Sequence, residues 1–269
     1  MIRSMKKDLR GFTIGATDGD IGKVDEFYFD DASFTVRHLV VDTGGWLTGR
    51  KVLISPMALR DVDWDAKRIT AALTKAQVEK SPEVDTDRPV SRQHEIAYYS
   101  YYGYPYYWAG PYLWGAYPYP YPVPPSGRET SLEKEQRWDW AEESGDPHLR
   151  SSAAVIGYHI AATDGDIGHV EDFLVDDATW AIRYMVVDTS NWWSGKTVLV
   201  SPEWIARVDW NESKVHVDLT REQIKNSPAF DPSGPVQREY EARLCDHYGR
   251  PAYWSDQRGE ATRRRRKSS

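Results

Sequence analysis

The chain has 269 residues, of which 40% are hydrophobic and 28% are charged, and its formal net charge at pH 7 is −7. This length and apolar content are sufficient for two small domains, each with its own core. The negative net charge argues against a general nucleic-acid binder, because neutralising phosphates requires clustered Lys and Arg. We therefore expect a globular protein with no specific nucleic-acid partner.

The sequence carries few signals of compartment. Cys245 is the only cysteine, so neither an intramolecular disulfide nor a cysteine-based zinc site can form. No apolar run is long enough for a transmembrane helix, and no apolar segment follows the basic start of the chain. The expected location is the cytoplasm, and peripheral attachment to a membrane is left open.

The hexapeptide TDGDIG occurs twice, starting at Thr17 and again at Thr163, an offset of 146 residues. The same offset relates VVDT at Val40 to its second copy and the pattern YG.P.YW at Tyr102 to its second copy. A constant offset over this distance indicates a duplicated unit of roughly a hundred residues. Two copies are too few for a solenoid, so each copy is expected to form its own domain.

The repeat and the composition predict four consecutive segments. The last of them is strongly basic and is expected to be a disordered tail. The predicted segments are a first repeat with an aromatic extension at 7–108, a Tyr/Pro-rich and charged linker at 109–152, a second repeat with its extension at 153–254, and the tail at 255–269.

The apolar pattern within each repeat is that of short strands. Residues 22–31 alternate in polarity and are followed, after a short break, by a second apolar run at 34–43, which predicts a hairpin. A third run ends at Pro56, which cannot donate a hydrogen bond to a ladder. Residues 59–73 predict two further strands joined by a polar turn.

A short helix is predicted after these strands, because Thr74 and Thr220 stand where each can cap its N-terminus. Several short strands with tight turns in fewer than about eighty residues are typical of a small barrel. The predicted fold is mostly β, with two tandem small antiparallel β-barrels, each followed by a short helix and an aromatic extension.

The repeated TDGDIG motif is compatible with a calcium loop, a pair of catalytic carboxylates or a turn that the fold needs twice. A calcium loop of the EF-hand type spreads its oxygen ligands over about twelve residues and ends in a bidentate Glu, which this frame lacks. A paired-acid site would need further carboxylates and a cleft. An Asp-Gly pair between strands suits a turn with positive φ. We therefore predict structural turn roles for Asp18, Gly19, Gly22, Asp164, Gly165 and Gly168.

The succession of DGDIGKV, RHLVVDTGGW and KVLISPMAL resembles the PRC-barrel. This domain occurs in the cytoplasmic part of the photosynthetic reaction centre H subunit and in the C-terminal half of the ribosome maturation factor RimM. The resemblance covers residues 7–82 and 153–228, and it implies the barrel fold without implying a function. The H subunit has a membrane helix and RimM has a separate RNA-associated domain, and neither feature is found in this sequence.

No constellation of side chains indicates catalysis. The histidines do not recur at matched positions, since His38 corresponds to Tyr184. Ser55 and Ser201 each precede a proline without an accompanying His and Asp, and no glycine-rich phosphate loop is present. We expect no catalytic residue, no cofactor and no metal ion, and therefore a protein that is not an enzyme.

The most unusual composition lies between the repeats, from Tyr98 to Pro125, where tyrosine and proline dominate. Its prolines forbid a long helix, so the segment is expected to be extended. Such a segment either spaces two domains or presents its rings to a partner. The candidate partner-binding residues are Tyr112, Trp114, Tyr117, Tyr119 and Tyr121.

Two hypotheses about function remain. The favoured one is a non-enzymatic protein-interaction or assembly module whose protein partner is unknown. The alternative, implied by the resemblance, is an accessory protein at a membrane photosynthetic or electron-transfer complex. We also expect the two barrels to pack on each other through the segments that follow them, and a homodimer is left open. Under the alternative, the proton-handling groups would be Asp25, Glu26, Glu171 and Asp172.

Overall fold

The computed structural model describes residues 1–82, 90–121, 147–190 and 196–255. The chain divides into two compact units. Unit 1 contains residues 1–157 and 172–184, and unit 2 contains residues 158–171 and 185–269. Part of the second sequence repeat therefore belongs to unit 1. Most of the predicted tail, residues 256–269, and most of the predicted linker, residues 122–146, lie outside the described residues.

The strands follow the sequence prediction closely. In chain order they are β1 (Ile2–Ser4), β2 (Thr13–Ala16), β3 (Gly19–Asp30), β4 (Thr35–Asp42), β5 (Lys51–Ile54), β6 (Leu59–Asp63), β7 (Arg68–Ala71), β8 (Val90–Ser91), β9 (Pro147–Ser151), β10 (His159–Ala162), β11 (Gly165–Asp176), β12 (Ile182–Asp188), β13 (Thr197–Val200), β14 (Ile205–Asp209) and β15 (Lys214–Val217). The first repeat has the sheet order β5-β4-β3-β2-β7-β6, and the second has the corresponding order β13-β12-β11-β10-β15-β14.

The prediction of closed, wholly antiparallel barrels is not confirmed. In the first repeat β2 and β7 pair in parallel, with Ile14 opposite Ile69, and β10 and β15 do the same in the second. A parallel pair needs a long crossover, and the whole run from β3 to β6 supplies it. Within the described residues each sheet is an open path, because β5 is followed by the turn Pro56–Ala58 and no ladder joins it to β6.

The central hairpin is more deeply buried than a simple alternation predicts. Phe27, Tyr28 and Phe29 are all buried although they are consecutive in β3. Irregular pairing interrupts the ladder with β4 between Val24 and Glu26 and again between Tyr28 and Phe29. Such bulges rotate the strand, so successive side chains need not point to opposite faces.

The helices within the described residues are short, as predicted. Thr74 and Thr220 each form a capping box with the glutamine three residues later, so the predicted N-caps are confirmed. The α-helices in chain order are α1 (Lys75–Glu79), α2 (Arg92–Tyr102), α3 (Ser152–Val155), α4 (Arg221–Asn226) and α5 (Arg238–Tyr248). None of them combines the length and the apolarity that crossing a membrane requires.

The Tyr/Pro segment is not extended from Tyr98 onward as predicted, because α2 includes Tyr98 to Tyr102 and residues 112–117 form turns. The helix is free to form since the first proline of the segment, Pro105, follows its C-cap, Gly103, which has φ 67°. The Tyr98 hydroxyl donates to the carbonyl oxygen of Leu53 at 3.1 Å. The trailing helix therefore packs on its own repeat, contrary to the expectation that trailing segments cross over.

The strands that precede each repeat, β1 and β9, cross over instead, and both do so within unit 1. We call them the leading strands. β1 pairs with residues 174–176 of β11, and β9 pairs with residues 28–30 of β3. The sequences of these two strands contain IRS and LRS, respectively. The Ser4 hydroxyl caps a helical turn at Met5–Leu9, and the Ser151 hydroxyl caps α3. The same hydroxyls donate to Asp172 and Glu26, respectively. Each repeat thus contributes a leading strand to the sheet of the other.

Candidate interaction site

The two Asp-Gly turns are integrated into the fold by the same contacts. Asp18 Oδ1 accepts a hydrogen bond from the backbone N–H of Lys75 at 2.8 Å, and Asp164 Oδ1 accepts one from Arg221 at 2.7 Å. Lys75 and Arg221 are the first residues of α1 and α4, so each carboxylate binds a free N–H at a helix start. Gly19 has φ +140°, a conformation that side chains disfavour.

Gly22 and Gly168 allow a close approach of backbone. A Cβ at Gly22 would lie 2.0 Å from the carbonyl oxygen of Asp42, and one at Gly168 would lie 2.1 Å from that of Asp188. The geometry therefore gives both glycines a packing role. Across the described ranges, no group of three or more His, Cys, Asp or Glu side chains is arranged to hold a metal ion.

Three of the four carboxylates named by the alternative hypothesis line a cavity of about 200 Å³ in unit 1. Asp25 is 2.8 Å from Lys51 Nζ, and its hydrogen bond with Lys51 lowers its pKa. Burial raises the pKa of Asp172, which accepts the Lys6 backbone N–H at 3.1 Å. Glu26 accepts the Ser151 hydroxyl. These three carboxylates are thus already engaged by groups of the protein, and Glu171 lies outside the cavity lining, in β11.

The Tyr/Pro segment has a defined local structure between residues 109 and 121. Tyr112 and Gly115 exchange two backbone hydrogen bonds of 3.1 and 3.2 Å, and the Trp114 N–H donates to the carbonyl oxygen of Tyr117 at 2.9 Å. Gly115 has φ +74°, and a Cβ at Gly110 would lie 2.4 Å from its carbonyl group. Two overlapping turns therefore hold the segment in one conformation.

Trp114 anchors these turns to the core of unit 1. Its side chain is 1% exposed, and its Nε1 donates to the carbonyl oxygen of Thr179 at 2.8 Å. The Arg37 guanidinium donates to the carbonyl oxygen of Leu113, and it lies 3.6 Å from the Tyr107 ring centroid and 4.9 Å from that of Trp114. The expectation that Trp114 is presented to a partner is therefore wrong, because its ring is used inside the protein.

The other four candidate residues point outward and form what we call the tyrosine surface: Tyr112, Tyr117, Tyr119 and Tyr121. Their exposed fractions lie between 39% and 47%. The rings of Tyr117 and Tyr121 stack with centroids 4.7 Å apart. Among the described residues no hydrogen bond to any of the four hydroxyls is formed, so the surface combines aromatic faces with available donors.

A buried polar cluster in unit 1, formed by Arg92, Glu95 and Tyr107, was not predicted from the sequence. Tyr107 donates to Glu95 Oε1 at 2.8 Å, and Arg92 Nη1 lies 3.0 Å from Glu95 Oε2. The second repeat has the same arrangement, with Arg238 3.2 Å from Glu241. A signal for this cluster was present in the sequence. The tetrapeptides RQHE and REYE lie 146 residues apart, and each precedes a copy of YG.P.YW.

Burial shifts the pKa of several side chains in this part of unit 1, among them Glu95 and His38. Desolvation raises the pKa of Glu95 from 4.5 to about 7, against the opposing effects of Arg92 and the Tyr107 hydroxyl. Desolvation also lowers the pKa of His38 from 6.5 to about 3, with smaller contributions from His94 and Arg37. Both groups therefore tend toward the neutral form when the chain folds.

These opposite shifts predict a specific pH dependence. Between pH 4.5 and 7 folded Glu95 keeps a proton that the unfolded chain has released, so its contribution to stability falls as the pH rises. Between pH 3 and 6.5 His38 has the opposite effect, because the unfolded chain holds that proton. In Glu95→Gln the fall in stability due to Glu95 is absent, whereas the rise due to His38 remains. Relative to the wild type, the variant should gain about 3 kcal/mol across the Glu95 window.

Urea unfolding at a series of pH values measures this gain. The exposed Glu79 on α1 supplies the matched control, Glu79→Gln, which should reproduce the wild-type profile. Parallel profiles for Glu95→Gln and the wild type would show that Glu95 is ionised in the folded protein throughout this range.

The two repeats have the same sheet order, the same Asp-Gly turns and equivalent leading strands. They are therefore two copies of one kind of β-domain. The sequence profile of the PRC-barrel domain matches residues 6–78 and 150–224, which together are more than half of the chain. The chain therefore belongs to the PRC-barrel family, and the resemblance seen in the sequence is confirmed.

A curated relative from Deinococcus radiodurans, described as an uncharacterized protein, is 44% identical over 77 residues. The aligned stretch covers 28% of this chain and 27% of that relative. The description of this relative names no activity. The similarity therefore supports the shared domain and gives no information about function.

Proposed function

We propose that this protein is a non-enzymatic interaction module that binds a protein partner through the tyrosine surface. The observation that carries the proposal is the contrast between one buried ring, Trp114, and the four half-exposed rings beside it. The buried ring fixes the segment, so little conformational entropy remains to be lost on binding. Clustered aromatic side chains on a fixed support are the typical anchors of protein interfaces.

A binding role is also supported by the contacts that Asp18, Asp25 and Glu26 make within the protein. Asp18 binds the start of α1, Asp25 pairs with Lys51, and Glu26 accepts the Ser151 hydroxyl. A general acid or base would need to reach a substrate proton, and these groups are each held by a neighbour in the protein. The four tyrosines of the tyrosine surface, in contrast, are 39–47% exposed.

Site-specific photocrosslinking tests this proposal. A benzophenone amino acid at position 119, inside the tyrosine surface, should give discrete protein adducts in the cells that produce the protein. The same amino acid at position 101 is the control, since Tyr101 is 41% exposed but lies on α2, where its hydroxyl donates to the carbonyl oxygen of Gln77. Adducts that form equally from both positions, or from neither, would contradict the proposal.

A further inference from the structure

We propose that the partner of the tyrosine surface is the tyrosine surface of a second copy of this chain. This inference rests on the proposed function and names the partner for the same site. It predicts a symmetric, weak and concentration-dependent dimer. Three properties of residues 109–121 support it: their composition, their lack of charge and the area that they expose.

The composition of the segment is complementary to itself. Residues 117–121 read YPYPY, so Pro118 and Pro120 stand directly beside the exposed rings. Proline-containing segments bind aromatic surfaces, and their unpaired carbonyl oxygens accept hydrogen bonds from donors such as tyrosine hydroxyls. Because each copy carries both the rings and the prolines, a two-fold arrangement can satisfy both copies with the same contacts.

The charge distribution favours this surface for contact between copies. The chain carries a formal net charge of −7, whereas residues 109–121, AGPYLWGAYPYPY, contain no charged side chain. Two copies repel each other through their net charge, and an uncharged surface lets them meet without burying an unpaired charge. A partner of strongly positive charge would find no carboxylate within this segment to bind.

The exposed area predicts that the association is weak. An aromatic side chain buries about 150–250 Å² in a contact, so four rings that are 39–47% exposed offer roughly 350 Å² per copy. Stable interfaces bury about 800 Å² per partner. The tyrosine surface by itself therefore supports a transient dimer that appears at high protein concentration.

Sedimentation velocity of the full chain over a range of concentrations tests this inference. The dimer fraction should rise with concentration, and added salt should raise it further, because salt screens the repulsion between the negative copies. The double variant Tyr119→Ala and Tyr121→Ala should weaken dimerisation by about tenfold or more, since each truncation removes an interface ring. Tyr101→Ala, which removes an exposed ring elsewhere, should leave dimerisation unchanged.

The outcomes separate this inference from the proposed function. A chain that stays monomeric at all concentrations, or a dimer that the double variant does not weaken, overturns the inference. If position 119 then still crosslinks to a different protein, the interaction module stands and only its partner changes. If position 119 gives no adduct and the chain is monomeric, both proposals fail.

Discussion

Replacing Trp114 by alanine should lower the free energy of unfolding of unit 1 by about 3–5 kcal/mol, as is usual when a large aromatic side chain is removed from a core. The ring is 1% exposed, and its Nε1 donates to the carbonyl oxygen of Thr179 at 2.8 Å. The substitution removes the apolar contact, the hydrogen bond and the ring beside Arg37 together. Chemical denaturation of the full chain measures the loss.

A graded series identifies the cause. Trp114→Phe retains most of the apolar contact but loses the donor, so it should cost less than alanine, with about 1 kcal/mol of its cost due to the lost hydrogen bond. Tyr112→Ala, at a side chain that is 42% exposed two residues away, should change stability by less than about 0.5 kcal/mol. Equal losses for Trp114→Ala and Tyr112→Ala would show that Trp114 is not an anchor. The alanine variant should also abolish the position-specific crosslink at residue 119, because the tyrosine surface loses its support.

Gly22→Ala should destabilise the first repeat by about 3 kcal/mol, the upper range for overpacking, because the added methyl meets backbone that cannot rotate away. Its Cβ would lie 2.0 Å from the carbonyl oxygen of Asp42 and 2.9 Å from Thr43 Cα. Relief requires moving the end of β4 away from β3. Thermal unfolding followed by circular dichroism provides the measurement.

Gly45→Ala is the matched control for this substitution. An added Cβ at Gly45 meets no atom within 4 Å, and Gly45 is not among the residues with positive φ. Its stability should stay near the wild-type value or rise slightly, since alanine restricts the unfolded chain. Gly168→Ala should repeat the Gly22 result in the second repeat, where the corresponding distance is 2.1 Å. A tolerated Gly22→Ala would mean that β3 and β4 are not in the close contact described.

Structural features that are set by residues close together in the chain could be predicted from the sequence. The hairpin of β3 and β4 follows from alternating polarity, and the caps at Thr74 and Thr220 follow from side chains that reach the N–H groups of their own helix. The family resemblance has the same basis, since the repeated turn and strand motifs recur without an insertion. Each of these signals lies within a few residues of the structure that it predicts.

The candidate site could be predicted only in part. Five aromatic side chains between residues 112 and 121 look alike in the sequence, and nothing local separates Trp114 from the four exposed tyrosines. The separation comes from Arg37 in β4 and Thr179 before β12, which lie 77 and 65 residues away in the chain. The buried Glu95 shows the same limit, because its neighbours Arg92 and Tyr107 are close in sequence while its burial depends on the sheet.

The sequence by itself determined the duplication, the strands of each repeat, the helix caps and the PRC-barrel family, since all of these follow from local polarity, turn chemistry and repetition. Only the tertiary structure decided which strands pair across the repeats, whether the sheets close and which ring of the Tyr/Pro segment is buried. β1 and residues 149–151 of β9 have three residues each in the exchanged ladders, too few for a periodic signal. Their partners lie over a hundred residues away, so the pairing is set by the sheet edge that each strand meets in the folded chain.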